Sequence, residues 1–324
     1  MSSGSFARGE ESLFDRIRSG CAEVARRARS VRIDAGALDA FAGHLARERP
    51  SLPSLDPSLR RLASPAHTLA FVMTMNAVNF GSGWFPHLRK RPGLSGYLSL
   101  ATALHQRFAR EGPLSAQELA GMDAAACARP LVPPVDELMA LFARAWNDLG
   151  ELLRSQYAGR FESLVEAAGC RAERLVAILA RMPLYRDVAR YDGFEVPFYK
   201  RAQITASDLA LALGGRGLGR FEDLHELTLF ADNLVPHVLR MLGVLVYDLR
   251  LVTRIEAGEL LAWGSEEEVE IRAVALHAVE QLAASCGARG FRPGVHRLDH
   301  LLWSRGQSPK LKARPRHRTR CPYY

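Results

Sequence analysis

Aromatic rings and ionisable side chains occur together at four places in this sequence. These places are residues 76–86, residues 185–187 with 198–203, residues 230–232, and residues 298–303. Flat rings stack on a heterocyclic base, and carboxylates accept the paired N–H donors that a purine-like base presents. The residue types therefore predict a site for a purine-like base, with Asp232 and Asp299 as candidate carboxylates.

Each of these candidates also has a purely structural interpretation. Asp232 directly precedes a predicted helix, so it either caps that helix or is a carboxylate in an apolar pocket, and the spacing alone favours the cap. For Asp299 the alternative is an exposed surface position. The basic stretch Tyr199, Lys200 and Arg201 either holds a phosphate or forms a solvated basic face.

Other familiar motifs are missing from the sequence. The glycine-rich stretch 214–219 lacks the spacing of a dinucleotide loop and the Lys-Ser/Thr pair of a P-loop, and it follows a helical pattern, so it predicts a connection. The five cysteines are scattered, with no C-x-x-C pair. We therefore expect no metal, no cofactor and no disulfide framework, and a reducing cytoplasm fits this cysteine usage.

Most of the chain has the periodicity of helices. Apolar residues recur at intervals of three and four, which predicts a mostly α fold. The clearest stripes cover residues 164–179, 239–252 and 269–282. The second predicts one long helix that tolerates Gly243. The third begins after Ser265 and Glu268, which stand in the order of a capping box.

Extended segments are few and short. Residues 31–33 and 194–198 have strand-like patterns, and the pair Asp192-Gly193 before the second predicts a hairpin turn. Clusters of Pro, Gly and Ser predict connections at residues 49–57, 91–96 and 128–134. We expect a single helical unit of two packed lobes, an N-terminal lobe of residues 1–130 and a helical C-terminal lobe of residues 135–324.

The positive charge of the chain is local. The 324 residues are 48% hydrophobic and 24% charged, as in ordinary globular proteins, and the net charge is +8. Seven Lys and Arg between residues 305 and 320, with no acid among them, account for most of that charge. One competing function is therefore a nucleic-acid binding or base-excision repair protein that uses this C-terminal segment, with salt-dependent affinity. A helical scaffold without catalysis is another, but it leaves the aromatic and acidic residues unexplained.

The sequence predicts no membrane segment and no export. The apolar stretch of residues 69–78 is too short to cross a bilayer, so it predicts a buried core segment. Residues 1–18 lack the apolar region of a signal peptide.

The candidate site residues named above lie in sequence segments that resemble those of the queuosine salvage proteins, the queuosine 5′-phosphate N-glycosylases. The matching segments are Asn79-Phe80 with Trp84, Tyr185-Arg186-Asp187-Val188, Phe-Tyr-Lys-Arg-Ala-Gln-Ile at 198–204, Thr-Leu-Phe-Ala-Asp at 228–232, Gly258-Glu259, Glu-Val-Glu-Ile-Arg at 268–272, Asp299 with Trp303, and Arg-Cys-Pro-Tyr-Tyr at 320–324. The resemblance covers roughly residues 30–324.

This resemblance implies a mostly helical enzyme, similar to helical DNA glycosylases, that hydrolyses queuosine 5′-monophosphate to queuine and ribose 5-phosphate. It implies Asp232 as the catalytic carboxylate. The residues expected to bind the base are Phe230, Ala231, Asp299, Trp303 and Phe80. The residues expected at the phosphate or ribose are Lys200, Tyr199 and Arg201.

Two positions depart from the pattern of the family. Asn76 stands where many relatives have an aspartate, and Ser304 stands where several have an acid. Because queuine carries a secondary amine on its side chain, we expect its recognition to differ in detail. The Arg-Cys-Pro-Tyr-Tyr end also predicts that the basic segment folds back onto the body, where its charge attracts an anionic substrate.

Overall fold

The computed structural model describes residues 11–51, 62–128 and 136–324. Parts of the predicted connections at 49–57 and 128–134, and with them the predicted boundary between two lobes, lie outside these ranges. The described residues form helices and only four strands of three or four residues each, so the predicted mostly α fold is confirmed.

The elements follow one another along the chain with short connections. The helices are α1 (Leu13–Arg27), α2 (Ala35–Glu48), α3 (Pro65–Ala77), α4 (Gly96–Glu111), α5 (Ala116–Ala120), α6 (Ala124–Ala128), α7 (Asp136–Gln156), α8 (Phe161–Glu166), α9 (Ala172–Leu179), α10 (Lys200–Ala212), α11 (Leu234–Met241), α12 (Leu249–Glu256), α13 (Glu266–Ala288), α14 (Val295–Gly306) and α15 (Pro309–Lys312). The strands are β1 (Val31–Ile33), β2 (Val188–Tyr191), β3 (Phe194–Pro197) and β4 (Leu245–Tyr247).

The strands form two small antiparallel sheets. β2 and β3 are a hairpin, in which Asp192 and Gly193 take left-handed φ values of 43° and 88°, as the sequence predicts for this turn. β1 pairs with β4, which is far along the chain, with Val31 opposite Tyr247. The sheet of β1 and β4 therefore connects the N-terminal residues to the C-terminal half of the chain.

The long helix predicted for residues 239–252 is wrong. α11 ends at Met241, and Gly243 takes a left-handed φ of 75° that an interior helical residue does not adopt. β4 follows, and Asp248 then caps α12 by accepting a hydrogen bond from the Leu251 amide at 2.7 Å. The apolar pattern continues through this region because β4 also packs into the core. Periodicity alone therefore does not reveal the change from helix to strand.

The stripe at residues 164–179 is likewise two helices, not one. Gly169 and Cys170 take φ values of 56° and 58° between α8 and α9. Asp223, distant in sequence, accepts a hydrogen bond from the Ala172 amide at 2.6 Å and so satisfies a free donor at the start of α9. A cap supplied from elsewhere in the chain leaves no local signature.

α13 is the central helix of the fold. It packs against α1, α2, α11 and α14. Ser265 caps it as predicted, but Glu268 turns its carboxylate to the Gly264 amide at 3.1 Å and to the Tyr324 hydroxyl at 2.7 Å, so the reciprocal half of the capping box is not formed.

The acids Glu268 and Glu270 and the arginine Arg272 of this helix are buried and not on a solvated surface. Glu268, Glu270 and Arg272 are each at most 1% exposed. Both carboxylate oxygens of Glu270 accept hydrogen bonds from the backbone amides that lead into β1. Arg272 makes a bidentate ion pair with Asp187, at 3.0 and 2.6 Å. Buried charges persist where they are paired in this way.

A single hydrophobic core joins residues from α1 through α14. Residues 68–77 of α3 are all buried, which confirms the predicted core segment. α1 and α2 pack on α13, so the two predicted lobes share this core, and their separation stays a prediction. Among the described helices, none is both long and apolar enough to cross a membrane.

Candidate active site

A cavity of about 730 Å³ lies between the segment that follows α3, the first two turns of α10, the segment before α11, one side of α14, and the C-terminal segment of residues 307–324. This volume is typical of sites for small molecules. Six of the nine predicted site residues line it: Phe80, Lys200, Phe230, Asp232, Asp299 and Trp303. Ala231, Tyr199 and Arg201 do not.

Asp232 is both a helix cap and a carboxylate of this cavity, so the two alternatives drawn from its sequence are true together. Its Oδ1 accepts hydrogen bonds from the amides of Leu234 at 2.8 Å and Val235 at 3.0 Å, at the start of α11. Among the described residues, no hydrogen bond is made to Oδ2. The helix N-terminus stabilises the negative charge and fixes one oxygen, which leaves the other for a ligand.

Asp299 is inside the cavity wall and not on the surface. It is 4% exposed, and its Oδ1 accepts a hydrogen bond from the Phe230 amide at 3.1 Å. Burial, and next the negative charge of Asp232, raise the pKa of Asp299 well above its usual value. The Phe230 amide thus orients a carboxyl group that keeps its proton more readily than a solvated one.

Lys200 does not belong to a solvated basic face. It is 6% exposed at the start of α10, and its Nζ donates a hydrogen bond to the Asn79 carbonyl at 3.3 Å. Burial lowers its pKa, while the charges of Asp232 and Asp299 oppose that shift. Lys200 therefore places a positive charge near Asp232 and Asp299 in the cavity.

Asp208 is a third cavity carboxylate, which sequence reasoning missed. Lys200, Ile204 and Asp208 are spaced by four residues on α10, so they lie on one face of the helix, and all three line the cavity. Asp208 Oδ2 accepts a hydrogen bond from Asn76 Nδ2 at 2.9 Å. Burial raises the pKa of Asp208 to about 6, against the opposing effects of Asn76 and Lys200. The spacing from Lys200 is the signal that could have found it.

Aromatic side chains form another part of the wall. Phe230 packs edge-on against His300 with centroids 5.8 Å apart, and Trp303 packs edge-on against Tyr97 at 5.9 Å. Burial lowers the pKa of His300 to about 4, so this ring is neutral near pH 7. His300 lies within the stretch 298–303 that the sequence singles out, whereas Tyr97 has no signature in the local sequence, because α4 brings it to the cavity from a distant segment.

Arg201, Tyr199 and Ala231 support the site from outside its lining. The Arg201 guanidinium is buried, donates to the carbonyls of Ala77 and Leu184, and lies over the Phe80 ring with 4.7 Å to the centroid. Tyr199 precedes α10 with a left-handed φ of 47°, and the Ala231 carbonyl accepts from Arg272. The structure does not bring these three side chains to the cavity that we expected them to line.

The C-terminal segment folds back onto the body, as the sequence predicts. The carbonyl of Tyr324 accepts hydrogen bonds from the amides of Gly81 at 3.0 Å and Ser82 at 3.3 Å. Gly83 is required here, because a Cβ atom would lie 2.3 Å from the Thr319 carbonyl oxygen. At the other end of the contact, the Leu261 amide donates to the Arg318 carbonyl. The segment is thus a fixed wall of the cavity.

Of the seven basic residues between positions 305 and 320, three face the cavity together with Lys90: Lys312, Arg316 and Arg318. Lys90 and Lys312 are exposed, whereas Lys200, Asp208 and Asp299 are buried, so the basic residues form the mouth and the carboxylates the interior. Burial lowers the pKa of Arg316, and its Nε has no hydrogen-bond partner among the described residues. Burial first, and then Arg316 and Lys90, lower the pKa of Lys312.

No acid of the described chain forms an ion pair with Lys90, Lys312 or Arg316. Arg316 interacts at longer range with Asp232. Crowded like charges without acidic partners are the electrostatics of a site for an anion. Asp232 consequently lies between an anion-attracting mouth and an acidic, aromatic interior.

Within the described ranges, no three His, Cys, Asp or Glu side chains are grouped so as to hold a metal ion. The residues 214–219 form a connection with left-handed glycines at 214, 215 and 217, not a phosphate loop at the start of a helix. They lie outside the lining of the candidate site.

The fold and the site together define a helical protein with a nucleotide-sized cavity. Residues 59–324 match the family model described as queuosine salvage protein. The chain is 36% identical over 311 residues to a protein of Sphaerobacter thermophilus named queuosine 5′-phosphate N-glycosylase/hydrolase, over 93% of this chain and 95% of that protein. Proteins of the same name from Bos taurus and Mus musculus are 33% and 36% identical, over 71% and 56% of this chain and 72% and 56% of theirs. The chain belongs to the queuosine salvage protein family.

Proposed function

We propose that this protein hydrolyses the N-glycosidic bond of queuosine 5′-monophosphate and releases queuine and ribose 5-phosphate. The observation that carries the proposal is the position of Asp232, with one oxygen held by the start of α11 and the other unpartnered, between acidic and basic parts of one cavity. The names of the relatives given above support the same substrate.

The reaction separates the C1′ carbon of the ribose from N9 of the base. The electron pair of that bond leaves with the base, and positive charge develops at C1′. The Asp232 carboxylate stabilises this charge. Water adds its oxygen to C1′, and the proton it loses is taken up by the Asp232 carboxylate. That proton then passes through solvent to N9 of the departed base, which gives queuine with a neutral ring and restores the carboxylate.

The leaving base needs help from the interior of the cavity. Queuine is a 7-deazaguanine without N7, so protonation at N7, the usual aid for a departing purine, is unavailable. The raised pKa of Asp299 supports a role as a proton-bearing acid at the guanine-like edge, where it accepts from N1–H and donates to O6. Phe230 and Trp303, with Phe80 beside them, position the ring by packing against it.

The basic residues at the mouth supply the contacts for the 5′-phosphate. Arg316 lines the mouth with a planar guanidinium, which suits the phosphate oxygens, and Lys312 and Lys90 add positive charge beside it. Lys200, next to Asp232 and Asp299, is better located for the ribose. We therefore assign the phosphate to the C-terminal segment, and Tyr199 and Arg201 to support of the wall.

A nucleic-acid binding function is not favoured. Three of the basic residues that suggested it line the mouth of the cavity that contains Asp232. We also propose a reducing cytoplasm as the location, because the five cysteines of the chain are free thiols.

The test is to incubate the protein with queuosine 5′-monophosphate and to follow free queuine and ribose 5-phosphate by mass spectrometry. The unphosphorylated nucleoside, queuosine, is the parallel substrate, and heat-denatured protein is the control. We expect release of queuine from both, with a higher kcat/KM for the monophosphate. No release from either substrate overturns the proposed function. Equal kcat/KM values overturn the assignment of a phosphate site.

A further inference from the structure

We propose that Asp208 binds the secondary ammonium group on the side chain of the base, so that the site selects 7-deazaguanines with a cationic substituent. This inference rests on the proposed function and assigns a part of the cavity that the hydrolysis itself does not use. A 7-deazaguanine without the substituent has the same glycosidic bond and the same guanine-like edge, but nothing for Asp208 to bind.

The hydrogen bonding of Asp208 leaves room for a ligand. The side chain is 7% exposed and lines the cavity, and Asn76 is its single hydrogen-bond partner among the described residues, through Oδ2. Because Asn76 donates one N–H and carries no charge, it orients the carboxylate without neutralising it. The other oxygen, Oδ1, has no partner and is not sealed from the cavity.

The charge balance of the interior favours a cationic group. Among the described residues that line this part of the cavity, Asp208, Asp232 and Asp299 accompany a single Lys or Arg, Lys200. His300 is neutral near pH 7 and adds no charge. With Asp299 as the proton-bearing acid, the charges of Asp208 and Asp232 still exceed that of Lys200 by one. Excess buried charge is costly, and a ligand ammonium removes that cost by forming a charge-assisted hydrogen bond.

Two separate carboxyl groups match two separate edges of the base. Asp299 is held by the Phe230 amide, whereas Asp208 is two helical turns beyond Lys200 on α10. Asp208 and Asp299 both line the cavity, and the charge of Asp208 acts on Asp299. On the base, N1–H lies on one side of O6 and the substituent at C7 leaves the ring on the other side. Binding the guanine-like edge to Asp299 therefore leaves Asp208 for the substituent.

The experiment compares two substrates, queuosine 5′-monophosphate and 7-deazaguanosine 5′-monophosphate, which lacks the cationic side chain. The measured quantity is the ratio of their kcat/KM values, for the wild-type protein and for Asp208→Asn. Asparagine has the size of aspartate and removes only the charge. A hydrogen bond to a charged group contributes about 1.5–3 kcal/mol, so we expect the ratio to fall by about 10-fold to 150-fold in the variant.

The matched control is Asp148→Asn. Asp148 is a half-buried aspartate whose pKa is also raised by burial, but it does not line the cavity. We expect the substrate ratio to stay at the wild-type value in this variant.

Equal losses on both substrates in Asp208→Asn indicate a structural role and overturn the inference, as does an unchanged ratio. Failure of the proposed function is distinct, because the wild-type protein then releases no base from either substrate.

Discussion

We expect two separable roles for Asp232, because its carboxylate caps α11 and, in the proposed function, also faces the substrate. Asp232→Asn keeps an oxygen that can accept from the Leu234 and Val235 amides, but it removes the negative charge. Asp232→Ala removes both. The pair of variants therefore measures catalysis and capping independently.

The expected loss of activity in Asp232→Asn follows from electrostatics. A unit charge about 4 Å from the developing charge at C1′ contributes about 4 kcal/mol at the effective dielectric of a half-buried site, which corresponds to a loss of about 10³-fold in kcat. The assay is the release of queuine from queuosine 5′-monophosphate at saturating substrate. A kcat within about tenfold of wild type would falsify the catalytic role of Asp232.

The expected loss of stability appears only in Asp232→Ala. Removing an N-cap acceptor costs about 1 kcal/mol of the free energy of unfolding. With a urea dependence of about 2–3 kcal/mol/M, the unfolding midpoint of Asp232→Ala should lie about 0.3–0.5 M below that of Asp232→Asn. Identical midpoints for the two variants contradict the capping role, whatever their activities.

Three further perturbations test other parts of the structure. Arg316→Ala should lower kcat/KM for queuosine 5′-monophosphate by about 10-fold or more and lower kcat/KM for the nucleoside less. The control Arg314→Ala lies outside the lining and should change neither value. Equal losses on both substrates in Arg316→Ala contradict a phosphate contact. Because the pKa of Asp208 is raised to about 6, its charge is lost as the pH falls through 6. The ratio of kcat/KM between queuosine 5′-monophosphate and 7-deazaguanosine 5′-monophosphate should fall as that charge is lost. Since both substrates carry the same phosphate, the titration of the phosphate cancels in the ratio. A ratio that stays constant from pH 5 to 8 refutes the charged role of Asp208. Arg272→Met removes the ion-pair partner of two buried carboxylates and should lower the free energy of unfolding by about 3–5 kcal/mol. Arg289→Ala breaks a surface ion pair and should lower it by at most about 1 kcal/mol. Similar urea midpoints for the two variants would contradict a stabilising role of the buried ion pair.

Local patterns of the sequence predict the local features of the fold. The hairpin at Asp192-Gly193, the cap at Ser265 and the buried α3 each depend on a few adjacent residues, and the structure has all three. The break at Gly243 was missed because the apolar stripe continues through β4, whose partner β1 lies about 200 residues away in the chain. An element that depends on a distant partner is poorly specified by its own periodicity.

The residues of the candidate site were likewise predicted where a local sequence pattern marks them and missed where it does not. The Phe-Ala-Asp and Leu-Asp-His-Leu-Leu-Trp stretches identify Asp232 and Asp299, which the structure brings into one cavity. Arg201 was expected at a phosphate, and instead its guanidinium satisfies backbone carbonyls inside the protein. Asp208 was not predicted, because its significance comes from Asn76, which lies 132 residues earlier in the chain. Burial and pairing of charged residues are properties of the tertiary structure.

The opposite charges at the two ends of the cavity have a consequence for the order of events in a catalytic cycle. The base has to enter first, past the basic residues that will later hold the phosphate. After the bond is cleaved, the sugar phosphate occupies the mouth and blocks the exit of the base. For the proposed reaction we therefore expect ribose 5-phosphate to dissociate before queuine, and queuine, the last product to leave, to act as a competitive inhibitor.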